Sequence, residues 1–397
     1  MTKKVSAMQC GLFLCLTTIS LKFLVFPSVI ARYSFRDVYV PALVGLMLDF
    51  IFAIILLYVI KNNPHLTFKE LLNRTIGKTA TKVIIFLLFV HFFIKGVVIV
   101  KEIHNYFNET LFEDVAWLSF IIPLFCLLAY VMLKDFRTLG RTIQFFSVLI
   151  FIALIFTIIV PTTEAEFSNL LPIFENGFKG IINAVFHCGF VFGDYLVLLM
   201  LMGKVDYNKK TTKTIVGYLL FADVIVFLFF IIFSSIFGNL GLNHSLALSD
   251  VLMYTSINTA TGTINWINII VWLIILFLEA AIMFLCATKT LTEVFEFKSK
   301  YTPMFLILTM LFGAILYFYL NLIRIVQIVT STPFAIYVIT LQVLIPIICL
   351  ISAFKLKGKN KIKLVNVYNS KIIKYQLTNI CGVIVNKKYS SKKLVKG

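Results

Sequence analysis

The chain has 397 residues, 60% of them hydrophobic and only 14% charged, with 41 Phe and a formal net charge of +18. A soluble domain of this length has no use for so much apolar surface, so the composition points to an all-α, polytopic membrane protein. Ten-residue segments of alternating hydrophobicity, the mark of a membrane β-barrel, do not occur. The positive charge signals no nucleic-acid partner, because twelve of the lysines lie between Lys355 and Lys396, beyond the last apolar span.

In chain order, apolar windows of about 20 residues predict ten helices, near 6–31, 40–60, 81–107, 116–133, 142–161, 178–203, 215–238, 263–288, 302–320 and 332–354. The first window follows Lys3 and Lys4 but is too long for a signal peptide's apolar region and ends without a small-residue cleavage site. It is read as a retained helix, and an irregular one. Thr17, Thr18, Ser20 and Lys22 sit in mid-span and Pro27 follows, where a proline removes a backbone donor and crowds the preceding turn.

Between the second and third windows, Thr67–Leu72 reads as a short amphipathic helix on the inner membrane surface, with Thr67 as N-cap, Glu70 three residues on and Gly77 as stop. The third window carries His91, Lys95 and Glu102 at helical spacings that share one face, which must turn away from lipid. Acidic loops follow it (Glu109, Glu113, Asp114) and precede the sixth window (Glu164, Glu166, Glu175), and both read as solvated surface.

The sixth window opens on Leu170-Leu171-Pro172 and runs through His187, Cys188, Gly189, Gly193 and Asp194. Glycines and an aspartate in mid-bilayer are tolerated where backbone or charge lines an enclosed cavity, so this helix is expected to be broken. The seven cysteines are scattered with no C-x-x-C pair and read as small buried hydrophobes.

Lys and Arg partition between the connecting segments. One side holds Lys61, Lys69, Arg74, Lys78, Arg137, Lys209, Lys210 and Lys289 among others, and the other only Arg32, Arg36, Lys179 and Arg324. The positive-inside rule then puts both termini in the cytoplasm. Lys355, Lys357, Lys359, Lys361 and Lys363 suit anionic lipid headgroups just inside the last helix. The rest of the tail reads equally as an interaction segment or as disorder.

The first and sixth helices open two five-helix halves, 1–161 and 162–354, followed by the basic tail 355–397. Interrupted helices at matching positions of two halves are the best pointer in a sequence to a transporter-type binding site. Because five is odd, the halves are expected to be inverted copies.

Gln9, Pro27, the Pro64…Thr67…Glu70…Gly77-Lys78 loop and Leu170-Leu171-Pro172…Gly177…Phe192-Gly193-Asp194 together resemble the endospore germination permeases. These are the B subunits of nutrient-germinant receptors, within the amino acid/polyamine/organocation transporter superfamily. The resemblance spans roughly residues 5–354. It implies an inverted-repeat transporter fold, a buried site for a small nutrient such as an amino acid, A and C partner subunits, and the spore inner membrane. Ser20 and Lys22 stand where the family usually carries Gly-x-Gly, and Asp194 where it usually carries Glu.

The candidate ligand-binding residues are Thr17, Thr18, Ser20, Lys22, Lys95, His187, Gly189, Gly193, Asp194 and Glu279. A charge in mid-bilayer is costly unless paired, so each charged member has a structural reading beside the functional one. Lys22 stands where related carriers hold a cation or meets a ligand carboxylate, or else forms a structural salt bridge to Glu102 or another helix. Asp194 is a pocket acid, proton-linked or facing a ligand amine, or pairs with Lys95, and His187, seven residues and two turns earlier, shares its face. Rise along each span puts Lys22, His187 and Glu102 in the outer half, Asp49 and Lys95 near the middle, and Asp194 and Glu279 in the inner half. Asp49 reads as structural.

No H-E-x-x-H, G-x-S-x-G or P-loop pattern is found, so no catalytic residue, metal or cofactor is assigned. Two functions compete: a ligand-sensing receptor subunit and an amino acid secondary transporter.

Overall fold

A computed structural model describes residues 4–111, 117–244, 246–254, 258–259, 262–263, 265–296 and 302–356. Glu113, Asp114, Lys298, Lys300 and the basic tail from Lys357 onward lie outside the described residues. The helices are α1 (Ala7–Ile19), α2 (Phe26–Ser34), α3 (Tyr39–Asn62), α4 (Phe68–Asn73), α5 (Lys78–Thr110), α6 (Trp117–Met132), α7 (Phe136–Ile159), α8 (Gly177–His187), α9 (Val197–Leu201), α10 (Thr211–Phe237), α11 (Ala247–Tyr254), α12 (Asn265–Phe295), α13 (Thr302–Tyr319), α14 (Leu322–Val329) and α15 (Thr332–Leu356). A small hairpin pairs Asn258–Thr259 with Gly262–Thr263.

Among the described residues, six helical stretches are long and apolar enough to cross a membrane, and eight if each of two bent pairs is one span. The chain is therefore an integral membrane protein of the all-α class. One bent pair is α8 with the stretch Gly189–Leu201, at 47°. The other is α13 with α14, at 106°, and α14 has no counterpart among the apolar windows. Asn321 starts α14 by accepting the Arg324 N–H at 2.8 Å, which fixes the new direction.

The first window is broken as well. The helix α1 ends in a 3-10 turn at Leu21–Phe23, and Leu24 leaves helical geometry at φ −90°, ψ −112° before α2 begins. Phe23 anchors the break by stacking on Phe229 of α10, 3.9 Å between ring centres, and by a tilted contact with Trp272 of α12.

Packing follows from these interruptions. The long helices α5 and α12 lie against each other as the central pair, while α1 packs on α10 and the segments of the sixth window pack on α3. At the lysine-rich end Val5 pairs with the loop after α9, with Val5 N–H donating to Lys204 O at 2.8 Å. At the opposite end Arg36 bonds Glu175 at 2.5 Å and Asn239 donates to Glu175 at 3.0 Å. Glu175 is thus part of a clasp between segments, where the sequence suggested free solvated surface.

The helix α4 forms with both halves of its capping box, Thr67 and Glu70. It buries Phe68, Leu71 and Leu72 against the protein. Gly77, expected to stop α4, instead precedes α5, with φ +90°. That conformation suits glycine, which has no Cβ to clash.

Candidate functional site

The two breaks meet. Lys22, in the 3-10 turn that ends α1, donates to Asp194 Oδ2, and Lys95 of α5 donates to Asp194 Oδ1 at 2.5 Å. All three side chains are buried. An ion taken out of water costs several kcal/mol unless partners replace its hydration, so an isolated lysine at either position would be untenable. One carboxylate instead serves two ammonium groups. A second carboxyl stands behind the same turn, where Asp49 of α3 accepts the Gly193 N–H at 2.8 Å. Its other oxygen, Oδ2, is buried without a partner.

Backbone freed by the break in the sixth helix is taken up by side chains. Gln342 of α15 donates to the carbonyls of Gly189 at 2.8 Å and Phe192 at 2.9 Å. Lys95 approaches the Phe192 carbonyl at 3.3 Å, and the Tyr195 hydroxyl donates to Gln342 O at 2.6 Å. Gly193 sits at φ +86°, in the left-handed region where a side chain would be strained. Its small size is demanded both by that conformation and by Gln342 of α15, which a Cβ there would meet.

At the other break, Glu102 of α5 accepts the Val25 N–H at 3.4 Å, beside the start of α2. Glu279 of α12 accepts the Ser20 hydroxyl at 2.5 Å. Both carboxyls are fully buried, and each has one oxygen without a partner. The Leu24 carbonyl accepts the Ala247 N–H at 3.0 Å.

Of the ten candidate residues, Ser20, Lys22, Lys95, Gly193, Asp194 and Glu279 converge on the junction, and the Gly189 carbonyl joins them through Gln342. Thr17 does not direct its hydroxyl there but bonds back to Phe13 O at 3.0 Å, as helical threonines do. Thr18 is buried within α1. His187 does not share a face with Asp194, because the helix is interrupted between them. Its Nδ1 lies 2.8 Å from Thr330 O, and its ring stacks on Tyr33.

Lys22 does not bridge to Glu102. The layering of Lys22 outside and Asp194 inside also fails, since the two touch; a uniform helical rise does not apply across a break. Sequence reasoning left Asp49 as structural and missed Gln342, Phe192 and Tyr195. Gln342 carried a usable signal, an amide alone in an apolar span.

A cavity of about 470 Å³ opens beside the junction between α3, α8 and α15. Val44, Asp49, Gly189, Phe192 and Gln342 are among its lining residues. Phe192 connects it to the charges, with Lys22 Nζ 5.3 Å from its ring centre. No group of three or more metal-ligating side chains occurs among the described residues.

A family model described as "Spore germination protein" matches residues 4–325. No curated protein matches the chain.

Proposed function

The chain belongs to the spore germination protein family, and from that premise we propose that it is the membrane subunit of a nutrient-germinant receptor, with a small nutrient, preferably an amino acid, bound where the two broken helices meet. The observation that carries this reading is the buried Lys22–Asp194–Lys95 cluster. Asp194 offers the two lysines the group that an amino acid also carries, a carboxylate. An incoming ligand takes over one ammonium, and its own ammonium turns to Asp194 or to the free oxygen of Asp49. Every charge then keeps a partner, which a low-dielectric site requires. The apolar cavity beside Phe192 takes the ligand's side chain.

Such an exchange loosens the direct tie between the two breaks. The ligand therefore favours an arrangement other than the tied one, and partner A and C subunits read that shift. We read ten spans in two halves, 1–161 and 162–354, by adding the shorter apolar helices Ala7–Phe23 and Leu118–Met132 to the eight. Inverted repetition is supported by the packing: the first broken helix lies on α10 of the second half and the second on α3 of the first, while α5 and α12, third in each half, pair centrally. Lysine-rich loops favour cytoplasmic termini, in the spore inner membrane.

Spores carrying Lys22→Ala or Asp194→Ala, with the protein's membrane abundance confirmed by immunoblot, are expected to lose the response to the receptor's nutrient. An unchanged response from both would overturn the site. The same fold also serves a secondary transporter. Saturable uptake of labelled amino acid into proteoliposomes by this chain alone would replace the receptor reading with that one.

A further inference from the structure

Away from the junction, the lysine-bearing start of α10 and Phe151 of α7 line an open cavity of about 730 Å³, its residues including Lys210, Lys213, Gly217, Tyr218 and Phe221. That volume lies in the range of about 300–1,000 Å³ typical of small-molecule sites. Its chemistry is graded along one face of one helix. Lys210 is the N-cap of α10 and Lys213 follows within the first turn, where the helix dipole adds positive potential. Both are exposed. Gly217 lies four residues beyond Lys213, and a Cβ built on it meets nothing within 4 Å, so a slot stays open there. Phe221 lies a further four residues on. Phe151 of α7 closes the slot by stacking on Tyr218 at 6.3 Å and meeting Phe221 edge-on at 5.2 Å.

A soluble anion would use the lysines and leave the slot empty. An uncharged lipid would use the slot and leave the lysines without a counter-charge. We propose that the cavity binds an anionic glycerophospholipid, with its phosphate between Lys210 and Lys213 and one acyl chain over Gly217 against Phe151 and Phe221. The orientation suits a membrane, with charge at the helix end and hydrocarbon toward the bilayer interior. The back wall gives the lipid a route to the rest of the molecule. The Tyr218 ring occupies the space beside Gly11, so the bound lipid touches a side chain that itself packs on α1. This site shares no lining residue with the cavity of the proposed nutrient site.

The test is native mass spectrometry of the full chain released from detergent with dioleoylphosphatidylglycerol, dioleoylphosphatidylcholine or inorganic phosphate. Phosphatidylglycerol should be retained about tenfold over phosphatidylcholine, as two lysines at a membrane surface allow. Replacing both lysines (Lys210→Gln with Lys213→Gln) should bring the two lipids to near parity. Gly217→Leu should displace phosphatidylglycerol while both lysines remain, since a Cβ at that position stands in open space. Lys209→Gln, outside the cavity, should change nothing. Equal retention of the two lipids by the unaltered chain would overturn the proposal. So would competition by inorganic phosphate, or undiminished phosphatidylglycerol in Gly217→Leu.

Discussion

The two broken helices solve one problem by different chemistry. In the sixth window the break is made by glycine: Gly193 adopts φ +86°, and Gln342, Asp49 and Lys95 bond the liberated backbone. In the first window no glycine is present at the break. The helix tightens into a 3-10 turn at Leu21–Phe23 and ends at Leu24, and Glu279 and Glu102 of the central pair hold the ends. The glycine break depends on what its backbone can do, whereas the other depends on the side chains that meet it. Lys22 and Asp194 then make the two breaks a single unit.

That comparison can be broken most severely at the shared point. Asp194→Ala leaves two buried ammonium groups facing each other, and removing one partner of a buried pair costs about 3–5 kcal/mol. Thermal unfolding of the purified chain in detergent should show the largest loss of all single substitutions at the junction. Gly193→Ala tests the glycine break by itself. Left-handed strain together with crowding against Gln342 should cost about 2–4 kcal/mol in the same measurement.

Ser20→Ala tests the other break. It removes the hydroxyl that Glu279 accepts, a loss of about 1–3 kcal/mol, and it should not need a special backbone conformation. If Ser20→Ala proved costlier than Gly193→Ala, the contrast between backbone-made and side-chain-made breaks would be wrong. Thr67→Ala, remote from both, removes a helix cap and sets a reference of about 1 kcal/mol.

The smallest effect concerns pH at the lysine-rich end. There the hydrogen bond from Lys69, then the charges of Lys69 and Lys82, hold the Glu296 carboxyl below its ordinary value of 4.5. A lowered carboxyl stabilises the fold above pH 4.5, and the contribution fades as pH falls through the folded value. Glu296→Gln should therefore remove a slight stabilisation at pH 7 and none once the acid limit is reached, read from melting temperatures across that range.

Much of this was legible in the sequence because charge in lipid has so few explanations. Lys22, Lys95 and Asp194 stood out for that reason, and the structure brings them together. Gly77 was legible as a special backbone position but assigned to the wrong helix, since a glycine between two helices can end one or begin the next. His187 was misplaced because a seven-residue spacing marks one face only while the helix continues. Gln342 was overlooked because its partners are backbone groups freed by a break, and nothing in the sequence says which carbonyl or N–H a break leaves free; Asp49, read as structural, bonds the Gly193 N–H. The corner between α13 and α14 was hidden for a similar reason: apolar windows record composition, not direction.

The central claim is that the Lys22–Asp194–Lys95 junction receives the nutrient. Its most direct test is an equilibrium binding screen of labelled amino acids on the purified chain and on Lys22→Met. The account expects saturable binding of at least one amino acid, weakened about tenfold or more when the ammonium is lost, in keeping with a charge-assisted contact. Binding of equal affinity to both proteins would contradict it.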